Sequence, residues 1–154
     1  MHDNDVADQI AALPMRWDKA GKLRVLMVTS RDTGRWVIPK GWSMDGKKPW
    51  HAAEIEALEE AGAVGAISKR SIGHFYYDKR YDDKESVRCR VTLYPMVVAK
   101  LKRRWKESGE RKRRWFSPTK AAKLVDEKDL SCLLKNLTEN QEVQAALKEL
   151  RKAA

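Results

Sequence analysis

The stretch GWSMDGKKPWHAAEIEALEEAGA, Gly41 to Ala63, decides the fold, because it reads as a loop, a helix and a stop. Gly41, Asp45 and Gly46 break regular structure ahead of Pro49. Proline has a fixed φ and no N–H to lose, so Pro49 suits the first helical turn. Trp50 to Ala61 are mostly good helix formers, and Gly62 stands where a left-handed residue ends a helix. Glu56, Glu59 and Glu60, at i, i+3 and i+4, fall within one arc of about 100°. Ala53, Ala57, Leu58 and Ala61 form the neighbouring apolar arc. Three carboxylates this close repel one another, and nothing basic stands one turn away on that face. A divalent cation would relieve them. Hard oxygen ligands on a rigid element, with positions left for water and phosphate, describe a magnesium site. Taken alone, such a triplet is more often a solvated helix face.

The wider spacing changes that balance. Gly41 followed by Glu56-x-x-Glu59-Glu60-x-Gly62 resembles the Nudix box, G-x5-E-x7-R-E-U-x-E-E-x-G-U with U apolar. Glu56 to Ala63 matches its second half, and Arg35 to Trp42 looks like the strand and turn that enter it. Two positions depart: Lys47 stands where the box has its first glutamate, and Ile55 where it has its arginine. The resemblance implies an α/β fold, an α/β/α sandwich with a mixed β-sheet. It also implies hydrolysis of a phosphoanhydride with Mg2+, or Mn2+, as cofactor. Glu56, Glu59 and Glu60 are then both metal ligands and catalytic groups, with Glu59 a further ligand or the base. The Gly41 carbonyl completes the coordination.

On the N-terminal side, Ser30-Arg31-Asp32-Thr33-Gly34 is a polar turn. It is similar to the substrate loop of the diphosphoinositol polyphosphate phosphohydrolases, a Nudix subfamily, in which Ser and Arg at the positions of Ser30 and Arg31 contact phosphates. Hydroxyl and guanidinium donors in a turn suit phosphate oxygens. Arg35 and Lys40 are further candidate substrate ligands, and Lys40 and Lys47 bracket the loop. Lys47 either steers a polyphosphate or pairs with one of the glutamates. Trp42 and Trp50 line the pocket mouth or pack at its rim. Further upstream, Met1 to Asp8 is a loose polar end. A first strand begins in Gln9 to Leu13, Asp18 to Lys22 turns, and Leu23 to Thr29 is a buried strand, giving a hairpin.

On the C-terminal side, Val64 to Ile67 reads as a short apolar linker and Ser71 to Tyr77 as a strand. Asp78 to Ser86 is a charged loop, in which Asp82, Asp83 or Glu85 is a candidate base only by position. Val87 to Ala99 is the longest strand signal, with Pro95 implying a bulge or an edge. Arg88 and Arg90 share one of its faces, which looks either into the cleft or into solvent. Lys100 to Lys106 and Arg111 to Arg114 are basic runs that lead into a strand at Arg113 to Phe116. The second run is similar to one in the same subfamily where a basic residue reaches the inositol phosphates, which makes Arg113 and Arg114 candidates. Basic runs with interleaved Trp also fit RNA. Ser117-Pro118 caps a helix, Lys128 to Leu134 is amphipathic, and Thr138-x-x-Gln141 has capping-box spacing before a last helix.

Residues 1–154 have room for one domain with a real core. A net charge of +10, with 35% charged residues, favours polyanionic partners. Cys89 and Cys132 lack metal spacing and read as small buried hydrophobes. The acidic N-terminus has no apolar core flanked by basic residues, and no stretch approaches the ~18 apolar residues of a membrane span. The expectation is a soluble, cytoplasmic protein whose partner is a polyphosphorylated small molecule. The substrate is a diphosphoinositol polyphosphate or a dinucleoside polyphosphate. The alternatives are the 5′ end of RNA, or a weakened or silent module that binds polyphosphates. Oligomeric state is left open.

Overall fold

A computed structural model of the chain describes residues 6–81 and 85–153. The elements run β1 (Ala7–Trp17), β2 (Leu23–Thr29), β3 (Trp36–Val37), β4 (Lys40–Trp42), α1 (Pro49–Ala61), β5 (Ala63–Ile67), β6 (His74–Arg80), β7 (Ser86–Leu101), β8 (Arg113–Phe116), α2 (Pro118–Leu124), α3 (Lys128–Lys135) and α4 (Gln141–Ala153). One mixed sheet is ordered β3-β2-β1-β7-β5, with β4 on β1, β6 on β7 and β8 on β2. β1 and β7 pair in parallel, and the other ladders are antiparallel.

The sheet is covered on both faces, as the pattern of burial along β1 requires. Ala11, Leu13 and Met15 face a core completed by α2, α3 and α4, through Ala121, Leu130, Leu134 and Leu147. Ile10 and Ala12 face the other core, completed by Ala52, Ala53, Ala57 and Ala61 of α1. The α/β/α sandwich is therefore the architecture. Alanines on the buried face of α1 let the helix lie close to the sheet, which brings its glutamate arc to the cleft beside β4.

Several boundaries differ from the sequence reading. β1 runs on from Ala7 to Trp17, through Pro14. Pro95 lies in β7, which is flanked on both sides rather than at an edge. Both prolines are explained by where partners change. β1 leaves β4 after Ala11 and meets β2 from Met15. β7 leaves β6 at Thr92 and meets β5 from Met96. The Ala12 N–H points to that side of β1, bonding the Pro39 carbonyl at 3.1 Å, so position 14 points the same way. Likewise the Leu93 N–H bonds the Gly73 carbonyl at 2.9 Å, and position 95 follows it. Each proline thus lacks a donor only in a gap between partner strands. The two stand next to each other in the parallel ladder, Leu13 opposite Pro95 and Pro14 opposite Met96.

The expected linker 64–67 is instead strand β5, whose register shifts between Val64 and Gly65. β6 begins at His74 and extends into the expected charged loop as far as Arg80. Asp82 and Asp83, and the first five residues of the expected loose end, lie outside the described residues. Ser117 caps α2, accepting from the Lys120 N–H. The last helix is capped by Asn140, whose Oδ1 accepts from the Val143 N–H at 3.1 Å, and not by Thr138. Cys89 is buried, but Cys132 is exposed. Among the described residues no helix is long and apolar enough to cross a membrane.

Candidate active site

α1 starts at Pro49 after Lys48, which offers no side-chain cap, and stops at Gly62, whose φ of 64° is the left-handed conformation. The carbonyls at its C-terminal end are then taken up one by one by residues 102–113, which wrap this end like a strap. The Glu107 N–H bonds the Glu59 carbonyl at 3.1 Å, and the Lys102 N–H bonds that of Gly62 at 2.8 Å. The Trp105 indole N–H bonds the Glu60 carbonyl at 3.0 Å, and Arg113 Nη1 bonds that of Ala61 at 2.9 Å. A helix end held in this way fixes the rotation of the glutamates it carries.

Glu56 and Glu60 open into a cleft of about 260 Å³ whose walls include Ser30, Arg31, Lys40 and Gly41. A larger groove of about 470 Å³ between α4 and the turn before β6 contains no comparable cluster of carboxylates. Gly41 is where β4 meets Glu56: a Cβ on Gly41 would overlap the Glu56 carboxylate. Glu60 is 7% exposed. Its Oε1 accepts the Lys40 N–H at 3.3 Å, and its Oε2 faces Arg111 at 3.7 Å. Burial, reinforced by repulsion from Glu60 and a hydrogen bond to it, pushes the Glu56 carboxyl up to about 8. Burial also raises Glu60, against the pull of Arg111 and Lys40. Burial lowers Lys40, whose ammonium lies 4.9 Å from the centre of the Tyr77 ring. Burial raises Tyr77 too, and its hydroxyl donates to Gln9 Oε1 at 2.7 Å.

Two cleft residues carry no signal in the box. Glu107, 9% exposed, comes from the strap. Arg111 reaches it with Nε, 2.8 Å from Oε1. Their i, i+4 spacing in a basic run was the only hint available in the sequence. Arg31, half exposed, stands 3.8 Å from Glu107 and 3.7 Å from Glu110.

The structure thus brings together Glu56, Glu60, Gly41, Lys40, Ser30 and Arg31, and leaves Glu59, Arg35, Arg88, Arg90, Arg113 and Arg114 outside this cleft. Glu59 points away, toward Lys106 at 3.3 Å, and lines a separate groove with Leu58 and Trp105. Arg35 ties β3 to the turn before α3 through Glu127 at 2.9 Å and Asp126 at 3.5 Å. Arg90 pairs with Asp8 at 2.9 Å on the exposed face of β7, and Arg88 with Asp78. Arg113 stacks on Trp105, 3.8 Å from the ring centre, and Arg114 lies over Trp36 at 5.6 Å. Trp42 is exposed at the cleft wall, whereas Trp50 packs against the α1 core. Lys47 is exposed, and the cations on the glutamates are Lys106 and Arg111.

Among the described residues no three His, Cys, Asp or Glu side chains form a ready metal cage. The donor set nevertheless fits a hard cation. Glu60 is buried and Glu56 beside it half-buried, and burial together with repulsion from Glu60 raises the Glu56 carboxyl. A carbonyl at the invading glycine adds a third oxygen. A divalent ion relieves that repulsion and keeps open positions for water and phosphate.

A family model for the NUDIX domain matches residues 8–137. Nudix hydrolase 12, mitochondrial, of Arabidopsis thaliana is 31% identical over 70% of this chain and 54% of its own length. Diphosphoinositol polyphosphate phosphohydrolase 3-alpha of Homo sapiens is 33% identical over 66% of this chain and 58% of its own. The chain thus spans little more than half the length of these relatives. Among solved structures, a C. elegans Ap4A hydrolase binary complex superposes with a TM-score of 0.64 at 21% identity, over 87% of this chain and 96% of that one. The NUDIX domain of Shewanella oneidensis NrtR, complexed with ADP ribose, gives 0.65 at 13% identity over 88% of each. Both likenesses are to the fold.

Proposed function

The chain belongs to the Nudix family, and on that premise we propose that it is a divalent-cation-dependent phosphohydrolase that cleaves a phosphoanhydride bond in a diphosphoinositol polyphosphate or a dinucleoside polyphosphate. The observation that carries this reading is the pair Glu56 and Glu60, side by side in the cleft with both carboxyls raised by burial, against the close approach of Gly41. Glu56, Glu60 and the Gly41 carbonyl would hold the cation, with Glu107 beside them. The ion, Mg2+ or Mn2+, supplies neutralisation of the phosphate oxygens and acidification of a water. Glu59, turned toward Lys106, lines the neighbouring groove and not this cleft.

The remaining residues bind and orient. Arg31 is paired only loosely at the rim, so its guanidinium is free to turn onto a phosphate, with Ser30 beside it. Lys40 adds positive charge deep in the cleft, where exclusion of water strengthens its attraction for a polyanion. The carboxylate cluster accepts the proton that the attacking water loses.

One observation favours a second substrate, the 5′ end of RNA. Residues 100–114 carry nine of the chain's 32 lysines and arginines, and Trp105 stands among them. Counterion release on such a surface gives steeply salt-dependent binding. The test is product release, with and without magnesium, from a diphosphoinositol polyphosphate, a diadenosine polyphosphate and 5′-triphosphorylated RNA. Metal-dependent turnover of one of the first two is expected. Preference for the RNA would move the reading to that substrate, and no turnover with retained binding would make this a silent polyphosphate-binding module.

A further inference from the structure

The six tryptophans differ in what covers them. Five carry a cation over the ring: Arg151 on Trp17, Arg114 on Trp36, Lys69 on Trp50, Arg113 on Trp105 and Arg16 on Trp115. Trp42 has neither a cation nor another ring against it among the described residues, and it is 42% exposed. It is also the tryptophan that lines the cleft with Glu56 and Glu60. We propose that Trp42 is a stacking platform for a nucleobase, and that the substrate is a dinucleoside polyphosphate rather than a diphosphoinositol polyphosphate. The proposal deepens the phosphohydrolase reading and rests on it.

Trp42 directly follows Gly41 on β4, so a group stacked on its ring lies close to the oxygens that would hold the cation. The cleft, at about 260 Å³, is smaller than the roughly 300–1,000 Å³ that ordinarily encloses a small-molecule ligand. Arg31, Lys40 and Arg111 stand in its walls, which suits phosphates. Whatever the phosphates are attached to must then lie at the rim, where Trp42 is exposed. The other ring in the wall, Tyr77, has one face covered by the Lys40 ammonium, 4.9 Å from its centre, and its hydroxyl is bonded to Gln9. Gln9 stands opposite Trp42 in the ladder of β1 with β4 and is 4% exposed, so the platform has a fixed neighbour behind it. Every nucleobase offers a π-face to such an indole. An inositol ring is saturated and carries charged groups around it, and it has no face of that kind.

The test compares wild type with Trp42→Ala and with Trp42→Phe, which keeps a ring. kcat and KM are measured at saturating magnesium on a diadenosine polyphosphate, a diphosphoinositol polyphosphate and 5′-triphosphorylated RNA. Wild type should prefer the diadenosine polyphosphate. Loss of one base–aromatic stack corresponds to about 5–150-fold in affinity. Trp42→Ala should raise the KM for the diadenosine polyphosphate by that factor with little change in kcat, the mark of lost uniform binding. Trp42→Phe should recover part of it, and any rise on the diphosphoinositol polyphosphate should be smaller. An unchanged KM in folded Trp42→Ala would overturn the proposal, as would an equal loss on both small substrates. Wild-type preference for the diphosphoinositol polyphosphate or for the RNA would overturn it too. If Trp42→Ala does not fold, Trp42→Leu takes its place under the same criteria. If wild type hydrolyses nothing, the phosphohydrolase reading falls, and calorimetric binding of the diadenosine polyphosphate still decides the platform. Weaker binding by the Trp42 variant supports it, and equal binding, or none by wild type, overturns it.

Discussion

At the scale of single residues the site turns on carboxyls that burial raises above their ordinary range. Glu56 titrates near 8 in the folded protein against an ordinary value of 4.5. A folded state that binds more protons than the unfolded one loses stability as pH rises. For the metal-free protein this loss should run from about pH 5 to about 8, in step with ionisation of Glu56. A divalent cation binds the ionised form, so its stabilising effect should grow over the same window. Thermal melts across this range, with and without magnesium, check both signs. Glu56→Gln should flatten the metal-free slope and reduce the magnesium shift. Gly41 makes a second prediction. Because a Cβ at 41 would overlap Glu56, Gly41→Ala should cost about 1–3 kcal/mol of stability, and lower activity by displacing that carboxylate. Chemical denaturation and turnover of the one variant read both effects.

At the scale of elements, the helix that carries the chemistry was legible from Pro49 and Gly62, and so was the hairpin of β1 and β2. The strap was not. Its role depends on contacts such as the Trp105 indole with the Glu60 carbonyl, and a basic run gives no sign that it will cap a helix 45 residues earlier in the chain. Glu107 escaped for the same reason, and Arg113, a candidate substrate ligand by resemblance of its run to one in the subfamily, bonds the Ala61 carbonyl at the end of α1. Strand β5 escaped because a register shift at Gly65 breaks the alternation that would have marked it. The strap makes its own prediction. Trp105→Phe keeps the ring and removes the donor, and should cost about 1 kcal/mol. Gly62→Ala should cost about 1–3 kcal/mol, since it places a Cβ at positive φ against Trp105 and Arg113. Both variants should also lower turnover although neither touches the cleft. Unchanged kinetics would show that the helix end does not govern the glutamates.

At the scale of the whole molecule, the sheet with its two cores was expected from the family resemblance more than from periodicity. β1 and β7 are buried on both faces and alternate weakly. That single sheet serves both cores, so residues 1–154 should unfold as one domain. Leu134→Ala, in the core under α2 to α4, should lower stability by about 2–5 kcal/mol. It should shift a single cooperative transition followed both by tryptophan fluorescence and by circular dichroism. Two separated transitions would mean that the cores are independent.

The central claim is that Glu56 and Glu60 hold a divalent cation for hydrolysis, and its most direct test is the magnesium dependence of turnover in wild type and Glu60→Gln on the preferred polyphosphate. The account predicts saturable activation by magnesium in wild type, with a loss in Glu60→Gln of about 100-fold or more. Magnesium-independent turnover, or a folded Glu60→Gln as active as wild type, would contradict it.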